Sequence, residues 1–183
     1  MITTVNYRVV VVGELNPYGS RPEFALYHLP RKASGNRLRE HLGLTDVTYR
    51  RLDKVNLCDG EWDSCSARAR AVTILIEGRH DVVVMLGAKV RRAFGEVGLA
   101  FFESSTPDHL RGRVLVTLPH PSGMCRAWNA PDARDKAVRL LKAVAPQVPW
   151  NETKKGLRPE GLRPEGLRPE GLRPEGLRPE VST

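Results

Sequence analysis

The chain alternates between short, continuous apolar runs and longer stretches with helical spacing. Arg8–Val12 (RVVVV) and Asp81–Leu86 (DVVVML) are almost wholly apolar, as expected of strands buried on both faces. Lys54–Leu57 (KVNL) and Arg113–Leu118 (RVLVTL) read as two more strands, and Leu99–Glu103 is a further candidate with a weaker pattern. Between them lie helical segments. Ser34-Gly35-Asn36 opens one that runs through Leu42 and closes at Gly43, and Asp46–Leu52 is a second, short one. Ser64 or Ser66 caps a third, which ends near Glu77 before Gly78. Ala88–Phe94 is basic, and Pro131–Ala145 is a closing amphipathic helix with Pro131 near its first position.

Strands separated by helices argue for a parallel sheet with both faces covered. The expected fold is a three-layer α/β/α sandwich around a central, mostly parallel four-stranded sheet. In such sheets ligands bind beyond the carboxyl ends of the strands. The polar, Gly/Pro-rich junctions fall there: Gly13–Ser20, Asn56–Trp62 and Pro119–Asn129.

The domain is expected over residues 1–148, followed by a tail over 149–183. Within the tail, GLRPE occurs five times without variation from Gly156 to Glu180. A proline in every repeat interrupts helix, and a single leucine per repeat cannot build a core, so the tail reads as extended and disordered. Each repeat has one Arg and one Glu, so the formal charge of +8 belongs to the rest of the chain. A polyanion partner would account for that charge, as would an ordinary basic surface. The repeat reads as a replication-slippage product or a linear binding motif, with no partner identified.

The 183 residues suffice for one domain with a real core, and no apolar run approaches the roughly 20 residues of a membrane span. The Met1-Ile2-Thr3-Thr4 start lacks the features of a secretory signal. Three cysteines without a CxxC pair argue against a disulfide scaffold, a tetrathiolate metal site or an iron–sulfur cluster. The expectation is a cytoplasmic protein, monomeric and without a cofactor.

The first loop, Gly13-Glu14-Leu15-Asn16-Pro17-Tyr18-Gly19, brings an acid, an amide and a ring to the tip of a central strand. A carboxylate or amide there can hold a water for attack, although Asn-Pro and Tyr-Gly also form ordinary turns. The last loop, Leu118-Pro119-His120-Pro121-Ser122-Gly123-Met124-Cys125-Arg126, stiffens His120 between two prolines. A held imidazole can donate to developing negative charge, or it can be a capped surface histidine. Asn56, in or just after a buried strand, needs partners for its amide, either in its own fold or on a pyrimidine edge.

Together these motifs resemble the uracil-DNA glycosylase superfamily. VVVVGELNPYG is similar to its first motif, LPHPSGMCRAWN to its second, and DVVVMLGAKVRRAFG to the strand–Gly–helix segment between them, over roughly residues 8–145. The resemblance implies a DNA glycosylase that flips uracil or a modified pyrimidine out of single- or double-stranded DNA and cleaves its N-glycosidic bond with water. It implies that Glu14 or Asn16 positions the water and that His120 stabilises the leaving base. Asn56 would read the base edge, Tyr18 would sit against C5, and Phe24 or Tyr27 would stack on the base. Met124 or Arg126 would fill the gap in the duplex, and Ser122 and Gly123 would hold the DNA backbone. One residue more than usual separates Gly13 from the Asn-Pro pair, which leaves the water-binding position open between Glu14 and Asn16. The other readings are a superfamily member that binds a base, nucleotide or DNA without cleaving it, and an interaction protein acting through its tail. Trp62 and Trp128 read as core or rim packing, and Lys89, Arg91 and Arg92 as a solvated basic face.

Overall fold

The computed structural model describes residues 8–15, 21–110 and 112–153. Asn16, Tyr18 and the GLRPE repeats lie outside the described residues.

One sheet organises the fold. Its strands are β1 (Val9–Leu15), β2 (Asp53–Cys58), β3 (Val82–Leu86), β4 (Glu103–Ser105) and β5 (Val114–Leu118), in spatial order β2-β1-β3-β5-β4. β1, β2, β3 and β5 are parallel, and β4 is antiparallel to β5. The sheet therefore has five strands where four were expected. The extra edge strand starts later than Leu99–Glu103, because Phe101 and Phe102 form a turn with Phe102 at φ 66°. β1 runs beyond Val12, so Glu14 stands on the strand rather than in the loop after it.

The helices are α1 (Ser34–His41), α2 (Asp46–Arg51), α3 (Ser64–Glu77), α4 (Ala88–Ala93) and α5 (Ala133–Val144). Alternation along the strands divides the core into two layers. Val9, Val11, Val82, Val84, Leu86, Val116 and Leu118 pack with Leu38 of α1, Tyr49 of α2 and Leu141 of α5. Val10, Val12, Val83, Met85 and Leu115 pack with Ala67 and Ala71 of α3 and Val90 of α4. The three-layer α/β/α arrangement follows directly from this division.

Two helix starts differ from expectation. Asp63, not Ser64 or Ser66, caps α3, with its carboxylate accepting from the Ser66 amide at 2.7 Å. The Ser66 side chain, and after it the Ser66 amide, hold the Asp63 carboxyl below its usual range. α5 begins at Ala133 after Asp132, so Pro131 precedes the helix rather than occupying its first turn.

The packed body continues past residue 148. Val148 and Trp150 are buried, and the Asn151 and Thr153 amides donate to the Leu42 and Gly43 carbonyls at the end of α1. Among the described residues no helix is long and apolar enough to cross a membrane.

Candidate functional site

The strand order makes a switch point. From β1 the chain passes through α1 and α2 to β2 on one side, then through α3 back across to β3 on the other. A crevice is expected outside the carboxyl ends of β1 and β3, where the two connections part. A cavity of about 330 Å³ opens there, lined by Glu14, Leu15, Leu26, Tyr27, Lys32, His120 and the Ala33–Gly35 start of α1.

Glu14 ends β1, and His120 follows β5, two strands away in the sheet. Between them lies Gly87, at the tip of β3, whose amide donates to the Leu118 carbonyl at 2.8 Å. A β-carbon on Gly87 would stand 3.1 Å from His120 Cβ and 3.2 Å from Glu14 Oε1. Gly87 also has φ 92°, which disfavours any side chain. It thus lets a carboxylate and an imidazole approach over one strand end.

The backbone fixes the chemistry of His120. The Ser122 amide donates to Nδ1 at 3.2 Å. A backbone N–H can only donate, so Nδ1 carries the lone pair and the neutral ring carries its proton on Nε2. Burial lowers the pKa of His120, with Lys89 acting in the same direction and Glu14 opposing. Burial therefore favours the neutral ring, an Nε2–H donor. Pro119 and Pro121 are buried beside it, and the Pro119 carbonyl accepts from Trp128 Nε1 at 3.1 Å. Trp128 is itself buried and stacks on His41, with ring centroids 4.3 Å apart.

Glu14 also meets Lys89 of α4, whose Nζ lies 3.6 Å from Oε2. Asn56 is placed differently. It pairs with Gly13 in the β1–β2 register and is buried, and among the described residues neither its Oδ1 nor its Nδ2 has a partner. A buried amide with both ends unsatisfied is costly to the fold. Asn56 does not line the cavity. Leu26, which does, lies against the same point above Gly13. Leu26 adopts φ 49°, an unfavourable backbone region for leucine, in the turn after a short 3-10 segment, Pro22–Phe24.

Of the two aromatic candidates, Tyr27 lines the cavity, while Phe24 packs edge-on against Tyr27 with centroids 5.5 Å apart. Ser122 and Gly123 follow His120. The Arg37 guanidinium of α1 lies directly against Gly123, and Met124 stands 90% exposed beside the exposed Arg126. The structure thus brings Glu14, Tyr27 and His120 to one cavity, with Ser122, Gly123, Met124 and Arg126 beside it and Asn56 beneath Leu26. Sequence reasoning missed Lys89, Leu26 and Arg37. The sequence reads Lys89 with Arg91 and Arg92 as a solvated basic face, whereas it pairs with Glu14; Leu26 and Arg37 carry no signal.

No family model and no curated protein sequence matches the chain.

Proposed function

We propose that this protein is a DNA glycosylase of the uracil-DNA glycosylase superfamily, acting on uracil or a modified pyrimidine after base flipping. The observation that carries the reading is the Glu14–His120 pair on one cavity, with the Ser122 amide setting the tautomer of His120. Hydrolysis of an N-glycosidic bond needs a group to receive a proton from water and a group to stabilise the departing base. In this reading Glu14 holds the water and takes its proton as oxygen bonds to C1′. The bond to N1 breaks, its electron pair moves onto the base, and charge develops on O2. His120 donates Nε2–H to that oxygen. A neutral donor matches a leaving group whose charge appears only as the bond breaks, and one such donor contributes roughly 3–4 kcal/mol.

Two further features support a base as ligand. Asn56 offers a donor and an acceptor with no partner among the described residues, which suits the O4/N3 edge of a pyrimidine once Leu26 swings aside. Met124 is an exposed apolar side chain on the loop next to His120, suited to filling the gap a flipped base leaves.

One observation favours the second reading, a member that binds a base or nucleotide without cleaving it. Lys89 already engages Glu14, and an ion-paired carboxylate is a weaker base. The test is a glycosylase assay on single- and double-stranded oligonucleotides bearing uracil, G·T mismatches or 5-substituted pyrimidines, with alkali revealing abasic sites. The expected result is abasic product that falls about 10²–10³-fold in His120→Ala. No product on any substrate, with binding retained, would overturn hydrolysis in favour of the second reading.

A further inference from the structure

Lys89, the ion-pair partner of Glu14, also lines a second hollow, of about 390 Å³, together with Trp62, Ser64, Cys65, Arg68, Arg92 and Ala93. Three cations and an indole share it, and no carboxylate lines it. Arg68 and Arg92 are exposed and make no ion pair among the described residues. Arg91, the third basic residue of α4, is used differently: its guanidinium donates to the Leu99 carbonyl and lies over the Phe101 ring. The basic character of α4 is therefore divided between a packing role and this hollow.

Lys89 joins the hollow to the cavity. Its Nζ lies 3.6 Å from Glu14 Oε2 and 5.4 Å from the centre of the Trp62 ring. A chain of negative charge leaving the Glu14–His120 cavity past Lys89 therefore enters a hollow that Arg68 and Arg92 also line. The hollow along β2 and α3 carries Asp59, Glu61 and Asp63 against a single cation, Arg70, and its net negative charge disfavours such a chain.

Resting on the glycosylase reading, we propose that this hollow is the track for the single-stranded sugar–phosphate backbone next to the target nucleotide. Lys89, Arg68 and Arg92 hold phosphates, and Trp62 is the platform on which an unpaired base stacks. Cations along a backbone groove with an aromatic ring between them are the means by which single strands are held without regard to sequence. The substrate class is accordingly single-stranded DNA, or a duplex opened beside the lesion.

The experiment uses the full chain and short oligothymidylate, followed by intrinsic tryptophan fluorescence over a range of salt. Trp128 and Trp150 are 6% and 4% exposed, whereas Trp62 is half-buried at the hollow, so stacking quenches Trp62 selectively. Saturable quenching is expected in wild type and absent in Trp62→Phe. In the Arg68→Ala/Arg92→Ala double variant the salt dependence of log K should flatten by about 1.4, from roughly 0.7 per lost phosphate contact. Arg68→Lys/Arg92→Lys should restore it. Unchanged slope and affinity in the double alanine variant, or full quenching in Trp62→Phe, overturns the track. Uracil release by a chain whose groove variants bind like wild type sinks the track and leaves the glycosylase reading standing. Quenching and slopes as expected, with no base released from any oligonucleotide, support the track and sink the glycosylase reading. Absence of any binding overturns both.

Discussion

Asn56 stands directly across the β1–β2 ladder from Gly13, and its carboxamide oxygen occupies the space a β-carbon on Gly13 would need, 2.3 Å away. The amide is thereby tucked against β1, and neither end is hydrogen-bonded among the described residues. A fold that gained only stability from this position would place an apolar side chain there. Asn56→Leu is therefore expected to raise stability by about 1–3 kcal/mol in denaturant unfolding while abolishing base release. A variant that is less stable would mean the amide is structurally satisfied. Gly13→Ala should displace Asn56, lower stability by about 1–3 kcal/mol and raise KM.

Glu14→Gln keeps the shape of the side chain and removes its capacity to take a proton. Loss of about 10²–10⁴-fold in kcat, with oligonucleotide affinity unchanged, is expected if Glu14 activates the water. An unchanged kcat would transfer that role to another group. Lys89→Met separates the two sides of the ion pair: it frees the Glu14 carboxylate, so kcat should rise while strand affinity falls.

Burial depresses the pKa of His120 below 6.5 in the folded chain. The neutral donor form therefore persists to lower pH than in a free histidine. The acid limb of the kcat profile assigned to His120 should lie below pH 6.5, and the imidazole resonances should titrate with it. An inflection above that value would show the ring working as a cation.

His41 is lowered from 6.5 to about 4, by burial and then by the nearby Arg134, where it stacks on Trp128. The unfolded chain takes up this proton first. The stabilisation is fully present above pH 6.5 and is lost as the pH falls through about 4. His41→Phe, which keeps a ring on Trp128, should flatten the acid side of the stability profile. An unchanged acid midpoint would assign the loss to other groups, His28 first, since burial lowers it too.

Gly35, in the first turn of α1, faces the Leu26 and Tyr27 carbonyls, which a β-carbon would meet at 1.9 and 2.5 Å. Gly35→Ala must push α1 off the wall of the cavity. Thermal unfolding should show a loss of about 1–3 kcal/mol, and base release should fall with it. A neutral substitution would mean that this wall yields.

Much of this protein is written in its local pattern. Continuous valine runs place β1, β3 and β5, and helical spacing closed by a glycine places α1 and α3, because burial on two faces and helix termination are properties of short segments. The polar junctions at strand ends likewise mark where a site can form. Sheet order is a different kind of fact. β2-β1-β3-β5-β4 depends on which hydrophobic faces pack against which helices, and no periodicity encodes it. Only that order brings Glu14 and His120 to either side of Gly87, sets Leu26 over Asn56, and sends Lys89 to both Glu14 and Trp62. The sequence determined which chemical groups stand at the strand ends; the tertiary structure decided which of them meet, since their meeting depends on long-range packing rather than on spacing along the chain.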